Sequence, residues 1–181
     1  AAGTDRLVNF TRYRGARLTS KGRTAALEVV RHHRLLETYL TSALGFSWDE
    51  VHAEADHLEH AISEDLEERI AAYLGHPAAD PHGAPIPERD GSLPPRREMR
   101  LSEAEQGTEA FVARVSDRDP ELLRYLDQIC LRPPGRLRVL ERGPFDGPLR
   151  IEAVESGVVV SLSRRVTDEV FVVPVATLEG A

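Results

Sequence analysis

The sequence has only one cysteine, Cys130, and no apolar run long enough to cross a bilayer. A single cysteine cannot form an internal disulfide, so a reducing, cytoplasmic environment is expected. The opening residues, AAGTDRLVNF, lack the basic segment and the apolar stretch that are typical of a secretory signal. Together these absences predict a cytoplasmic protein without a membrane partner.

Sequence signatures of common enzyme classes are absent as well. We find no phosphate-binding glycine loop, no dinucleotide-binding fingerprint and no Ser-His-Asp arrangement. The formal net charge of −7 argues against a surface that attracts nucleic acid generally, although a local basic patch is compatible with it. The 181 residues, 41% of them hydrophobic, allow one large domain or two small ones.

The first half of the chain is predicted to be a short hairpin followed by three helices. Two β-like runs flank a glycine-containing turn, and the first helix is expected to begin at Thr19 or Ser20. A capping box of Ser47 and Glu50 is expected to open the second helix, and Ser63 the third. Apolar stripes on these helices predict a helical subdomain with a candidate surface for a second copy of the chain.

The second half reads as a small β domain. Residues 75–97 are rich in proline and glycine, which predicts a linker or an ordered surface loop. Five β-like segments follow at short spacing, which predicts a β-barrel or sandwich. One helix-like piece, PELLRYLDQICL, lies among them, and its Cys130 is expected to be a small core residue. The chain is therefore expected to be α+β.

The stretch VHAEADHLEH, residues 51–60, holds three histidines and three carboxylates in ten residues. A helix advances about 100° per residue, so with His52 as reference Asp56 lies at about 40°, Glu59 at about −20° and His60 at about 80°. These four side chains share one helix face. The stretch is either a metal-binding face or an ordinary solvated face.

A second pair, His33 and Glu37, has the i, i+4 spacing that puts both residues on one side of the first helix. Packing the two helices together would combine imidazole and carboxylate ligands, which suit a divalent ion such as Mn, Fe(II), Co or Zn. Taken alone, the pair favours an ordinary surface interaction of about 0.3 kcal/mol over a metal site.

Four blocks of sequence resemble the diphtheria toxin repressor family of metal-dependent transcription regulators, and most closely its manganese-responsive branch. They are YRGARLTSKGR, RHHRLLETYL, VHAEADHLEH and LGHPAADPHGAPIP, within residues 6–87. Residues 100–175 resemble the SH3-like, FeoA-type domain that many members carry. The resemblance implies the end of a winged helix at 1–20, a helical metal-binding and dimerisation domain at 21–90, a linker at 91–99 and an SH3-like β-barrel at 100–181.

The resemblance also implies a function. Members are cytoplasmic homodimers that use a divalent metal as corepressor, bind palindromic operator DNA through the winged helix, and commonly repress metal-uptake genes. Neither an enzymatic activity nor a small-molecule substrate is implied.

Nine positions match residues that bind metal in this family. Ligands of the main site are matched by Asp56, Glu59 and His60. Further ligands, which include the ancillary site, are matched by His33, Glu37 and His52. Loop ligands and a carboxylate from the SH3-like domain are matched by Asp80, His82 and Asp119. Iron-responsive members tend to have cysteine at the position of Asp56, and a carboxylate there favours Mn(II), with Fe(II) as the alternative.

The chain starts after the point where the family's helix-turn-helix would stand. Only a wing-like hairpin is expected, whose Arg12, Arg14 and Arg17 either contact DNA phosphates or are simply solvated. The start is compatible with a fragment, an alternative start or a natural form without DNA reading. Two alternatives to a metal-dependent regulator therefore stay open: a metal-binding dimerisation partner that does not read DNA, and a metallohydrolase.

Overall fold

The computed structural model describes residues 6–95 and 97–178. The helices are α1 (Ser20–Leu44), α2 (Val51–Leu58), α3 (Glu64–Tyr73), α4 (Pro120–Gln128), α5 (Arg164–Thr167) and α6 (Val175–Leu178). The strands are β1 (Val8–Thr11), β2 (Gly15–Leu18), β3 (Met99–Arg100), β4 (Glu109–Val115), β5 (Arg136–Arg142), β6 (Leu149–Ala153), β7 (Val158–Leu162) and β8 (Val170–Pro174). The α+β class predicted from the sequence is confirmed.

The helix starts follow from side-chain caps. The Thr19 hydroxyl oxygen accepts a hydrogen bond from the backbone N–H of Gly22 at 3.0 Å, and Ser63 caps α3 in the same way. The predicted capping box before α2 is wrong in detail. The Ser47 hydroxyl donates to the carboxylate of Glu50 instead of capping a backbone N–H, and α2 begins only at Val51.

The three long helices enclose one apolar core. Helix α1 packs against both α2 and α3. The buried residues of this core are Leu35, Leu36, Leu40, Val51, Ala55, Ile70, Ala71 and Ile86. On α1, Leu35, Leu36 and Leu40 share the face that packs against α2 and α3.

The β domain is a six-stranded antiparallel sheet with the strand order β3-β8-β4-β5-β6-β7. Helix α4 lies against it and buries Leu123 and Leu126 in the sheet's core. Cys130 is exposed, contrary to the core position expected from the sequence. The helix ends at Gln128, and Cys130 takes a left-handed backbone conformation beyond it.

The β1–β2 hairpin is attached to the start of α1 and is otherwise open to solvent. All eight strand residues are exposed. The backbone of Leu7 lies so close to Gly22 that an added Cβ there would fall 1.9 Å from the Leu7 carbonyl oxygen. Glycine is therefore required at position 22, and the contact fixes the hairpin to the helix.

Residues 75–95 form an ordered connection, because parts of it are buried. Asp80 and His82 are buried, and the Asp80 side chain accepts hydrogen bonds from the backbone N–H groups of His82 and Ala84. The backbone N–H of Val115 in β4 donates to the carbonyl of His82 at 2.9 Å. This segment therefore joins the helical core to the β domain.

Trp48 completes the contact between the two domains. It precedes α2 in the chain but packs into the core of the β domain. Its indole N–H donates to the Pro81 carbonyl at 3.0 Å, and its ring stacks on His82 with 5.5 Å between ring centroids.

Within the described part of the chain, no helix has the length and apolar character needed to span a bilayer.

Replacement of Trp48 tests whether packing or the hydrogen bond holds this contact. Trp48→Ala should destabilise the protein by about 3–5 kcal/mol, the usual loss for a buried aromatic ring. Trp48→Phe keeps most of the ring but removes the donor to Pro81, and it should cost only about 1 kcal/mol. Urea unfolding followed by circular dichroism measures both. Equal losses for the two variants would contradict the packing role.

Candidate metal centre

A partly buried cluster of imidazoles and a carboxylate lies where α1 meets α2. His33 and Glu37 come from α1, and His52 comes from α2. The Nε2 atom of His33 lies 3.0 Å from Oε1 of Glu37 and 3.0 Å from Nδ1 of His52. The His52 Nδ1 atom lies 2.9 Å from the same Glu37 oxygen. Three potential ligand atoms thus converge within one coordination sphere.

The other nitrogen of His33 faces a second group of oxygens. Its Nδ1 atom lies 2.8 Å from Oε2 of Glu59 and 3.2 Å from Oδ1 of Asp56. Asp56 is on α2, and Glu59 immediately follows it as the C-cap residue. His33 therefore stands between two sets of candidate ligands and can serve either one.

A third group, fully buried, is built on the second oxygen of Glu37. His82 donates from Nε2 to the carbonyl of Trp48 at 2.8 Å, so in the neutral imidazole Nδ1 holds the lone pair. This Nδ1 lies 3.7 Å from Glu37 Oε2, too far for a hydrogen bond. Among the residues that the structure describes, neither atom has a hydrogen-bond partner, and neither does Oδ2 of Asp80.

The carboxylates of the cluster raise the pKa of His33, and the ionised form of Glu37 is stabilised in return. Burial opposes the charged form of His33, but the hydrogen bonds and charges of Glu37 and Glu59 outweigh it and raise the pKa of His33 to about 9. Burial likewise opposes ionisation of Glu37, yet its hydrogen bonds to His33 and His52 hold its pKa well below the usual value. An imidazolium at position 33 thus compensates the carboxylates around it.

The environment of Asp80 is unfavourable for a charged carboxylate. Burial and the negative charge of Glu37 raise the pKa of Asp80 to about 6, although Arg34 lies 3.5 Å from its Oδ2. The pKa of His82 is also raised: burial opposes this shift, but the nearby Glu37 carboxylate outweighs it. Both shifts reflect excess negative charge in a space with little water, and a cation would remove it.

The donor set fits a divalent metal ion. Glu37, Asp80 and His82 offer three ligand atoms within 4.8 Å of one another, and the same holds for the His33, Glu37 and His52 group and for the His33, Asp56 and Glu59 group. Oε2 of Glu37, Oδ2 of Asp80 and Nδ1 of His82 are buried without a hydrogen-bond partner among the described residues, an arrangement that a cation would satisfy. Imidazole with carboxylate and without thiolate suits Mn(II), Fe(II), Co(II) or Zn(II).

Two of the nine predicted ligands, His60 and Asp119, are not members of these groups. The His60 side chain is 71% exposed, and its Nε2 faces the outer oxygen of Glu59 at 3.3 Å. Asp119 caps α4 by accepting from the N–H groups of Glu121 and Leu122. The sequence contained a signal for this role, since aspartate directly before proline is typical of a helix start.

The carboxylate that the β domain brings to the cluster belongs to Asp117, which sequence reasoning missed. Its Oδ2 lies 3.9 Å from Nδ1 of His52. Asp117 follows β4 in the loop before α4, so its position depends on how the β domain docks on the helices. No spacing rule along the chain could have found it.

Arg12, Arg14 and Arg17 are all exposed on the β1–β2 hairpin. Arg12 lies over the ring of Tyr13, 4.9 Å from its centroid. The three guanidinium groups are accessible to a ligand in solution, and contact with DNA phosphates stays a prediction.

The chain matches two known domain families. Residues 19–88 match the iron dependent repressor, metal binding and dimerisation domain, and residues 99–174 match the FeoA domain. The iron-dependent repressor IdeR of Mycobacterium leprae is 39% identical, over 75% of this chain and 64% of that protein. The diphtheria toxin repressor of Corynebacterium diphtheriae is 40% identical, over 48% of this chain and 38% of that protein.

Solved structures agree with these matches. A manganese-dependent transcriptional repressor in complex with manganese is 44% identical with a TM-score of 0.87, and the match covers 93% of this chain and 78% of that one. The manganese regulator SloR is 32% identical with a TM-score of 0.78, covering 93% and 77%. The chain nevertheless spans less than two thirds of the length of the two curated repressors.

Metal binding by this cluster should release protons. At about pH 7.5 His33 is mostly protonated, since its pKa is about 9, and it must lose that proton to offer a lone pair. Affinity for Mn(II) should therefore rise with pH up to the pKa of His33. Calorimetry in two buffers of different ionisation enthalpy measures the released protons. His33→Gln should release about one proton fewer; equal release by variant and wild type would contradict the assignment.

Proposed function

This chain belongs to the diphtheria toxin repressor family of metal-dependent transcriptional repressors, and on that basis we propose that it is a cytoplasmic, manganese-responsive repressor of metal-uptake genes. The observation that carries the proposal is the convergence of Glu37, Asp80 and His82 beside the His33 cluster, each with a buried polar atom that has no hydrogen-bond partner in the described part of the chain. A protein with no use for a cation would gain stability by replacing such groups with apolar ones.

The chain's own residues would hold the ion from three directions. His33 and Glu37 extend from α1, His52 and Asp56 from α2, and Asp80 and His82 from the connecting segment. A bound divalent ion supplies positive charge at their meeting point. The residues in turn fix the spacing between α1, α2 and the β domain, so occupancy would favour one arrangement of these elements over others.

Manganese is favoured over softer ions by the chemistry of the ligands. Asp56 offers a carboxylate near His33, and the single cysteine, Cys130, lies in the β domain beyond α4. Carboxylate oxygens suit Mn(II), and Fe(II) is the alternative for a mixed imidazole and carboxylate set. The solved repressor with bound manganese, 44% identical to this chain, supports this choice.

A second copy of the chain would cover an apolar groove between α1 and α3. Leu44, Leu66 and Tyr73 are 58%, 44% and 70% exposed on this surface. The groove is otherwise lined mainly by apolar side chains, namely Leu36, Tyr39, Leu40, Leu58, Ile62 and Ile70. Exposed apolar surface of this kind marks an association site, and a homodimer through α1 and α3 is the partner that we propose.

The hairpin would add contacts to operator DNA. Arg12, Arg14 and Arg17 project from an exposed hairpin that is fixed to the start of α1 through Gly22. Phosphate contacts from such residues position a protein without reading the base sequence. Movements of α1 on metal binding would therefore reach the DNA-facing surface directly.

A charge on the apolar groove should abolish the dimer. Leu66→Glu places a carboxylate in a surface that would become buried, and dimerisation should weaken at least about a hundredfold, or about 2.7 kcal/mol. Leu93→Glu is the matched control, because Leu93 is also exposed, at 37%, but lies outside the groove. Light scattering during gel filtration gives the mass. A Leu66→Glu variant with the wild-type mass would contradict the proposed interface.

Metal should control DNA binding by the protein that the complete gene encodes. Mn(II) should raise its affinity for the promoter of its regulated genes at least tenfold, equivalent to about 1.4 kcal/mol of coupling. Asp56→Asn removes a half-exposed ligand with little risk to folding and should reduce this response. Glu54→Gln, on the same helix but outside the metal groups, should keep it. Fluorescence anisotropy measures affinity, and wild-type affinity that ignores metal would reject the proposal.

A further inference from the structure

A separate group of potential ligands lies on the other side of α1, between α1 and α3. It consists of Glu28, His32, Glu64 and Glu67. One ligand atom each from Glu28, His32 and Glu64 lies within 4.8 Å of the other two. The Nε2 atom of His32 lies 3.1 Å from Oε2 of Glu67 and 3.6 Å from Oε1 of Glu64. None of these residues belongs to the metal centre described above.

The orientation of His32 shows which of its ring nitrogens faces the carboxylates. Its Nδ1 atom lies 3.2 Å from the backbone carbonyl of Glu59. A carbonyl oxygen can only accept, so Nδ1 carries the hydrogen. Nε2 faces Oε2 of Glu67 at 3.1 Å and Oε1 of Glu64 at 3.6 Å, and contacts between acceptor atoms of this kind are favourable only with a proton or a cation between them. Histidine ligands of metals usually have this arrangement, with the second ring N–H donated to a carbonyl.

Several carboxylates surround His32, and one of them is paired with an arginine. Glu67 is 2% exposed, and its Oε1 forms an ion pair with Arg31 at 2.5 Å. Its other oxygen faces His32, whose imidazole is also buried. With Glu28 and Glu64, three carboxylates surround His32, and Arg31 offsets one of them. Carboxylates beside a buried imidazole suit a divalent transition-metal ion.

The group is also accessible. Glu28, Glu64 and Glu67 line an open cleft of about 320 Å³, together with Thr24, Arg31 and Arg89. Glu28 and Glu64 are exposed, so they can move toward an ion that enters from solvent, while His32 and Glu67 are fixed by burial. Two fixed and two mobile ligands form a site that needs no rearrangement of the fold.

We propose that Glu28, His32, Glu64 and Glu67 form an additional binding site for a divalent transition-metal ion, with His32 Nε2 and carboxylate oxygens as ligands. This site does not require the proposed regulatory function. It is nevertheless linked to the metal centre, because His32 holds the backbone carbonyl of Glu59, whose side chain contacts His33. An ion at His32 would stiffen the end of α2.

The experiment counts bound ions on the whole chain. Equilibrium dialysis against Mn(II) or Zn(II), followed by elemental analysis, gives the number of ions per chain. The variant Glu28→Gln/Glu64→Gln should bind one ion fewer than wild type. Both side chains are exposed, so the variant should fold normally, which circular dichroism checks. Glu68→Gln is the matched control on α3, since Glu68 pairs with Arg89 and lies outside the group.

A second variant separates this proposal from the metal centre. Asp56→Asn/Glu59→Gln should lose ions at the metal centre but retain the ion at His32. Zinc should also shift the ¹⁵N resonance of His32 Nε2 in wild type and not in Glu28→Gln/Glu64→Gln. If Glu28→Gln/Glu64→Gln binds as many ions as wild type, or the resonance does not respond to zinc, His32 is paired with carboxylates as an imidazolium and the site is rejected.

Discussion

The buried carboxylate of Glu37 is the constraint around which the helical domain is organised. One of its oxygens contacts His33 and His52, and the other faces His82 without a hydrogen bond. Burying a charge is costly unless it is paired, so the imidazoles of two helices and one loop must gather around it. Burial, together with the nearby charge of Glu37, raises the pKa of Asp80 to about 6.

This arrangement links the helical domain to the β domain. His82 is held by the carbonyl of Trp48 on one side and by the N–H of Val115 on the other. Trp48 itself packs into the core of the β domain, and Asp117 reaches toward His52 from that domain. Glu37 is therefore connected to both domains through a chain of contacts, and such a connection is what coupling between metal binding and shape would require.

Much of the local structure followed from sequence pattern. Thr19 and Ser63 cap the helices they were expected to cap, and the VHAEADHLEH stretch is helical up to Leu58. The expectation for Cys130 was wrong because the helix stops at Gln128, before the apolar run ends. The face shared by His52, Asp56 and Glu59 reaches His33 as expected, whereas His60 lies past the helix end and faces solvent.

The sequence by itself determined the starts of α1 and α3, the ligand chemistry and the likeness to a family, because caps, periodicity and residue type act over a few neighbouring residues. Only the tertiary structure decided which ligands meet. Asp117 rather than Asp119 approaches His52, and His32 faces Glu67 across α1 and α3. These pairs are separated by 35 or more positions, and their distances are set by how the helices and the β domain pack, which no local pattern encodes.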